Sequence, residues 1–150
     1  MSLRVPPIVQ FLVCALLAWG LAQLMPQPTF GSPLWAVAGY GFILSGTVLL
    51  ALAVLAFIRA RTTVNPLAPD QARTLVTNGL YRFTRNPMYL AMALILIGGA
   101  FALGNIAALA APVVFVCAMT ELQIKPEEHA LQTIFGEAFT AYRKQTRRWL

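Results

Sequence analysis

Charged residues are scarce in this sequence. They make up 11% of its 150 residues, whereas 59% are hydrophobic. A soluble domain has about 25% charged and about 45–50% apolar residues. This shortage of charge excludes an ordinary soluble domain, and we interpret the chain as a single integral membrane domain. No small-residue cleavage site follows the first apolar stretch, so we expect that stretch to be retained as a span rather than removed as a signal peptide.

Cysteine and histidine are scarce as well. Cys14 and Cys117 both lie in apolar segments, so we interpret them as small buried hydrophobic residues and expect neither a disulfide nor a metal site. The single histidine, His129, is expected to face solvent. The net charge of +6 comes from basic residues that flank apolar segments. A bilayer therefore explains this charge, and no nucleic-acid partner is expected.

Long apolar segments fill most of the chain and predict an all-α membrane protein with four transmembrane helices. The segments are residues 8–25, 33–58, 88–103 and 106–122. The third covers only about 24 Å at ~1.5 Å per residue, which is short for a hydrocarbon core of ~30 Å. The letters LGN at 103–105 leave room only for a tight hairpin between the third and fourth helices.

Lysine and arginine are absent from the loops at 26–32 and 103–105. With four spans, every basic residue then falls on one side of the membrane, which the positive-inside rule assigns to the cytosol. Both termini are expected on that side, together with all five acidic residues. No charge lies in the middle of a span. Any chemistry is therefore expected at the cytosolic ends of the helices.

The stretch TRNPMY, at 84–89, reads as the start of the third helix. Asn86 is expected at the N-cap, Pro87 at the first helical position and Tyr89 as an interface anchor. An arginine-rich loop precedes it. A helix start alone does not require a long, arginine-rich loop before it.

The stretch from Lys125 onward predicts a separate amphipathic, cytosolic helix. Pro126 suits its first turn, and Glu127 and Glu128 complement the helix dipole there. At ~100° per residue, Glu127 and Glu128 fall on the two edges of an apolar stripe. The stripe is formed by Leu131, Ile134, Phe135, Ala138, Phe139, Tyr142 and Trp149.

Two motifs resemble those of a known family. LVTNGLYRFTRNPMYL, at 75–90, is similar to LV-x-x-G-x-Y-x-x-x-R-[HN]-P-x-Y, and the stretch from Glu127 is similar to EE-x-x-L-x-x-x-F-G-x-x-[YF]-x-x-Y. The two family motifs are those of the isoprenylcysteine carboxyl methyltransferase-like membrane enzymes, which resemble phospholipid N-methyltransferases. The resemblance divides the single domain into a two-span hairpin at 1–58 and a methyltransferase-motif core at 59–150.

The resemblance implies S-adenosylmethionine as cofactor, held in a cytosol-facing pocket between the two motifs. It implies cofactor contacts from the following residues: Arg73, Thr74, Leu75, Val76, Tyr81, Arg85, Asn86, Pro87, Met88, Tyr89, Glu127 and Glu128. A helix N-terminus beside Arg85 offers donors to a carboxylate, and carboxylate or aromatic groups suit the ammonium and sulfonium. No catalytic residue is assigned, because methyl displacement needs alignment more than a nucleophile.

The methyl acceptor stays open between two classes. The resemblance implies a lipid-like, membrane-embedded acceptor, with O-methylation of a carboxylate expected first and N-methylation of a phospholipid or other amine as the alternative. Prenylcysteine-type members carry an arginine where this chain has Gln123, and Lys125 is the nearest cation. These two residues are the candidates for substrate binding.

Two functions of another class are weighed against the enzyme. A small transporter subunit usually carries an ionisable group inside the membrane, and no predicted span has one in its middle. A non-catalytic scaffold would not need both motifs. The sequence gives no oligomeric state.

Overall fold

The computed structural model describes residues 5–26, 29–30, 32–59 and 75–150, and this part of the chain is helical apart from turns and two isolated bridges. The main helices are α1 (Pro7–Leu24), α2 (Leu34–Arg59), α3 (Pro87–Ala102), α4 (Ala110–Met119) and α5 (Lys125–Gln145). Short 3-10 turns cover Gly79–Arg82 and Ala107–Leu109. The predicted all-α fold is thus confirmed.

Helix α3 lies at the centre of the molecule because its two faces meet different neighbours. One face contacts α2 through Ala91, Ile95, Gly98 and Ala102. The other joins Cys14 and Ala18 of α1 and Phe115 of α4 through Tyr89, Ala93, Leu96 and Ala100. The two sets are offset by two residues, or about 200° at 3.6 residues per turn, so they point in nearly opposite directions. The first two helices, expected as a hairpin, each pack against α3.

Glycine lets α2 and α3 meet backbone to backbone. A Cβ atom built on Gly98 would lie 2.5 Å from the carbonyl oxygen of Gly39, and one built on Gly39 would lie 2.6 Å from that of Gly98. A Cβ on Gly46 would lie 2.8 Å from the carbonyl oxygen of Ala91. Such small-residue contacts are typical of helix pairs in membranes.

The outer faces of α1 and α2 expose many large apolar side chains. Leu16 is 67% exposed in α1, and Val37 and Leu44 are 66% and 67% exposed in α2. Soluble proteins rarely expose apolar area on this scale. Three helices are long and apolar enough to cross a membrane, namely Pro7–Leu24, Leu34–Ala56 and the apolar part of Ala107–Gln145. The fourth predicted span, α3, has 16 residues. The chain is therefore consistent with an integral membrane protein, and the count of four spans stays a prediction.

Helix α4 continues into α5 without a loop. A π-helical turn at Thr120–Ile124 joins them, so the helix predicted from Lys125 is present but is continuous with α4. Proline can occupy the first turn of a helix, but Pro126 follows residues whose backbone is already helical and does not end the helix. The chain instead widens to π geometry just before it.

The structure interrupts the single apolar stripe that the sequence predicts for α5. Gly136 has φ 50° and ψ −119°, so that α5 consists of two helical stretches that meet at this glycine. Ile134, before the break, and Ala138, after it, are exposed, whereas Phe139 and Tyr142 are buried. Trp149 lies beyond the end of the helix. The amphipathic character of this helix is not established.

The two ends of the molecule are distinct. At one end, residues 29–30 meet the turn between α3 and α4, where Phe30 N–H donates to the Gly104 carbonyl at 2.9 Å. An open cavity of about 450 Å³ lies there, lined by Phe30, Trp35 and Phe101 among others. The expected tight connection is present, with Gly104 at φ 66°. At the other end, the start of α3 meets residues 146–149.

The cysteine prediction holds at one position and fails at the other. Cys14 is buried against α3 and α4, whereas Cys117 is exposed. An apolar segment in a membrane has an outward face, and Cys117 lies on it.

Candidate functional site

Four of the six buried polar residues in the described part of the chain lie near the starts of α3 and α5: Thr84, Gln123, Glu128 and Thr146. The start of α3 is at Asn86 and Pro87, as predicted, but the Asn86 side chain does not cap the helix. Its Nδ2 donates to the Arg148 carbonyl at 2.9 Å. The Asn86 backbone N–H donates to the Thr84 hydroxyl at 3.2 Å. The helix start is thus tied to a distant part of the chain.

Glu127 is held by one helix on each side. The Tyr89 hydroxyl of α3 donates to Glu127 Oε1 at 2.7 Å, and Nε2 of Gln123, from the π-helical turn, donates to the same oxygen at 2.6 Å. Gln123 is 1% exposed, Tyr89 is 8% exposed and Glu127 is half-buried. Hydrogen bonds to an ionised group are short and strong, so this pair of donors fixes the carboxylate in one orientation.

Tyr81, in the turn before α3, is a third buried residue near Glu127. It is 5% exposed, and its carbonyl oxygen accepts a hydrogen bond from the Tyr142 hydroxyl at 2.6 Å. Burial raises the pKa of Tyr81, and the nearby Tyr142 and Glu127 raise it further. The phenol therefore stays protonated at physiological pH. Leu75 and Val76 pack against this group together with Leu131 and Phe135 of α5.

Glu128, the next residue along, is paired with two arginines. Arg85 Nη2 donates to Glu128 Oε1 at 2.9 Å. Arg148 donates from Nε to Oε1 at 3.0 Å and from Nη2 to Oε2 at 2.7 Å. Only 10% of the Glu128 side chain is exposed. The hydrogen bonds with Glu128 raise the pKa of Arg148. The two arginines therefore supply the compensation that a buried carboxylate requires.

Arg85 donates hydrogen bonds to several partners. Its Nη1 donates to the carbonyls of Arg143 at 3.2 Å and Thr146 at 2.8 Å, besides its bond to Glu128. Its backbone N–H donates to the Arg147 carbonyl at 2.9 Å. In this arrangement Arg85 joins α3 to the end of α5.

The predicted site residues are largely brought together. Those that lie in the neighbouring hydrogen-bond and apolar contacts around the starts of α3 and α5 are Leu75, Val76, Tyr81, Arg85, Asn86, Pro87, Met88, Tyr89, Gln123, Glu127 and Glu128. Lys125 lies apart, because its ammonium pairs with the exposed Glu121 at 2.5 Å. Arg73 and Thr74 lie outside the described residues. The roles of all these residues stay predictions.

Several participants were missed from the sequence. Arg148 was counted only among the flanking basic residues, and Thr84 and Tyr142 were given no part in the site. No local pattern marks them, since each acts through a partner about 20 to 64 residues away. Trp149, expected on the stripe, instead donates from Nε1 to the Thr120 hydroxyl at 3.1 Å.

Chemically, the arrangement offers a half-buried carboxylate beside two buried tyrosines and two apolar residues at a helix start. Such a surface suits a cationic ligand with an apolar part. The described residues contain no group of three metal-ligating side chains.

Comparison with known proteins shows which proteins this chain is similar to. The model of the family described as phospholipid methyltransferase matches residues 34–138. A protein of Haemophilus influenzae (strain ATCC 51907 / DSM 11121 / KW20 / Rd), named only as an uncharacterized protein, is 36% identical over 63 residues. These residues are 42% of this chain and all of that protein. No solved structure matches the chain.

Proposed function

This chain belongs to the phospholipid methyltransferase family, and from that premise we propose that it transfers a methyl group from S-adenosylmethionine to the amine of a membrane phospholipid. Family membership makes the chain a methyltransferase and implies S-adenosylmethionine as the methyl donor. It also favours an enzyme over the transporter subunit and the scaffold weighed from the sequence. The choice of an amine acceptor and the cofactor contacts are our proposals.

The side chains around Glu127 fit the cofactor. S-adenosylmethionine supplies a methyl group activated by a positively charged sulfur, and it also carries an ammonium. Glu127, held by Tyr89 and Gln123, offers a fixed negative charge to these cationic groups. Tyr81 offers a buried aromatic side chain, and Leu75 and Val76 offer apolar surface for the adenine. The fixed Glu127 carboxylate is the observation that carries the proposal.

The protein's part in the reaction is alignment. In-line displacement needs the acceptor atom and the methyl carbon close together with water excluded. The buried tyrosines and the apolar packing at Leu75 and Val76 exclude water on one side. The donor pair on Glu127 holds the negative charge in place without needing to move during the reaction.

The pairing of the basic residues favours an amine acceptor. A carboxylate acceptor needs a cation to hold it, and the three cations nearest to Glu127 along the chain or in the network already have acidic partners: Arg85 and Arg148 are paired with Glu128, and Lys125 is paired with Glu121. An amine instead suits the Glu127 carboxylate and the tyrosines. O-methylation of a lipid carboxylate is the second candidate, because the two motifs resemble those of the isoprenylcysteine carboxyl methyltransferase-like enzymes.

Product chemistry tests the acceptor class. Purified protein is incubated with methyl-labelled cofactor and vesicles that contain either phosphatidylethanolamine or a prenylated cysteine lipid. We expect label in the phosphatidylethanolamine fraction, and we expect it to survive mild base because N-methyl groups are not hydrolysed.

The pH profile gives a second, independent reading. An amine must lose a proton before it attacks, so the rate should rise with pH toward the amine pKa. A rate that is flat above about pH 6, together with label released by mild base, would show a methyl ester and refute the amine proposal.

A further inference from the structure

The residues after α5 run along the start of α3. The hydroxyl of Thr84 donates to the Arg148 carbonyl at 3.3 Å, and Thr146 donates from its hydroxyl to the Arg82 carbonyl at 3.3 Å. The backbone bond from Arg85 to the Arg147 carbonyl and the Asn86 bond to Arg148 complete the contact. We call residues 146–149 the strap. The strap fixes the loop that leads into α3, which carries part of the proposed site.

Arg148 anchors the strap to α5. Its guanidinium engages both oxygens of Glu128 at 3.0 and 2.7 Å, a two-point contact that an ammonium cannot reproduce. Glu128 is the neighbour of Glu127 in the first turn of α5 and points toward Arg85 and Arg148, whereas Glu127 points toward Tyr89 and Gln123. Adjacent carboxylates with separate sets of partners fix the rotation of that helical turn.

Arg85 and Tyr89 complete the second half of this arrangement. They are four residues apart, one just before α3 and one in its first turn, and they bind Glu128 and Glu127, respectively. Two parallel contacts therefore join the start of α3 to the start of α5. Loss of the Arg148 contact would leave Glu128 buried with only one cationic partner, which favours rotation of the turn or entry of water.

We propose that Arg148 is a positioning residue, which acts through Glu128 and Arg85 to hold the Glu127 carboxylate where the cofactor binds. This assignment rests on the proposed function. Arg148 itself is not assigned to contact cofactor or acceptor.

The experiment compares neighbouring arginines. Arg148→Ala, Arg148→Lys and Arg147→Ala are prepared in the full chain in lipid nanodiscs, and binding of S-adenosylhomocysteine is measured by calorimetry. Arg147 is the matched control because it is exposed and its contact with Arg85 is made by the backbone carbonyl, which the substitution keeps. We expect about tenfold weaker binding for Arg148→Ala, a smaller loss for Arg148→Lys and no change for Arg147→Ala. In kinetics, KM for the cofactor should rise more than kcat falls.

A coupled variant separates positioning from general stability. If Arg148 acts through Glu128, Arg148→Ala should weaken binding little further when added to Glu128→Gln. Equal losses in both backgrounds would contradict the assignment, as would wild-type affinity in Arg148→Ala. If Arg148→Ala fails to fold, Arg148→Lys carries the test. Loss of hydrogen-exchange protection at the Arg85 amide would show that Arg148→Lys has released the strap. Wild-type affinity in a folded Arg148→Lys of that kind would also overturn the assignment of Arg148.

The outcome for the wild-type chain separates the two proposals. Failure of the wild type to bind S-adenosylhomocysteine would overturn the proposed function and this assignment with it. Binding by the wild type that Arg148→Ala leaves unchanged would overturn this assignment alone.

Discussion

At the scale of single residues, the site depends on two donors that meet one carboxylate oxygen. Tyr89 and Gln123 come from α3 and from the π-helical turn, and both donate to Glu127 Oε1. One donor fixes a distance, whereas two fix an orientation. Removal of either one should therefore weaken cofactor binding without abolishing it.

Tyr89→Phe tests this arrangement. The substitution removes one hydrogen bond to a charged group, worth about 1.5–3 kcal/mol, while the apolar packing of the ring stays. We expect KM for S-adenosylmethionine to rise about tenfold, since 1.4 kcal/mol corresponds to a factor of ten. Tyr40→Phe is the matched control, because Tyr40 is 65% exposed on α2. Equal KM values for the two variants would refute the role of the hydroxyl.

Residue-level prediction from the sequence named residues that do lie near one another where a motif carried the information, and their roles in the cofactor site stay predictions. Both glutamates and Tyr89 were identified with the cofactor site, and the structure brings them together. It failed for contacts between distant segments. Nothing near Arg148 in the sequence indicates that its guanidinium meets Glu128, because that contact depends on the return of the chain after Gly136.

At the scale of helices, the contact between α2 and α3 depends on three glycines, Gly39, Gly46 and Gly98. Gly98→Ala should force the backbones apart, because the new Cβ would lie 2.5 Å from the Gly39 carbonyl oxygen. Overpacking of this kind costs about 1–3 kcal/mol. We expect a lower midpoint of thermal unfolding in detergent.

The neighbouring glycine provides the control for this substitution. Gly99 has no described atom within 4 Å of a built Cβ, so Gly99→Ala should leave the midpoint unchanged or raise it slightly. Equal midpoints for Gly98→Ala and Gly99→Ala would contradict the close packing. The close approach of α2 and α3 therefore depends on Gly98 and not on its neighbour Gly99.

The break in α5 gives a different kind of prediction. Gly136 also has open space around a built Cβ, but its φ of 50° disfavours any other residue. Gly136→Ala should therefore cost roughly 1–3 kcal/mol through backbone strain alone. Because Tyr142 and the strap follow the break, hydrogen exchange of the Arg85 amide should increase. Unchanged exchange in Gly136→Ala would show that the strap does not depend on the break.

Helix boundaries were only partly predictable. Turn signals located the start of α3 and the connection at 103–105, because Pro87 and Gly104 act locally. The junction of α4 and α5 was not predictable. The π-helical turn has no local sequence signal, and Trp149, which lies beyond the end of α5, donates a hydrogen bond to Thr120 at its start.

At the scale of the whole molecule, the two ends differ in charge. The end with residues 29–30 and the 103–106 turn carries no lysine or arginine among its described residues, whereas the end with the start of α3 carries Arg82, Arg85 and Arg147. By the positive-inside rule the second end faces the cytosol. This orientation is a prediction.

Thiol labelling in intact cells tests the orientation. In a background that lacks Cys14 and Cys117, Asn78→Cys and Ser32→Cys place single thiols near opposite ends of the bundle. A membrane-impermeant reagent should label Ser32→Cys and leave Asn78→Cys unlabelled until the cells are opened. Labelling of both, or of Asn78→Cys alone, would contradict the predicted topology.

The binding of S-adenosylhomocysteine by wild type, Glu127→Gln and Glu137→Gln in lipid nanodiscs tests the central claim most directly. Glu137 is an exposed glutamate of the same helix and serves as the control. We expect the wild type and Glu137→Gln to bind equally and Glu127→Gln to bind at least tenfold more weakly, because the neutral amide cannot pair with the ligand's ammonium. Equal affinity for Glu127→Gln and wild type would show that the cofactor does not bind between the starts of α3 and α5.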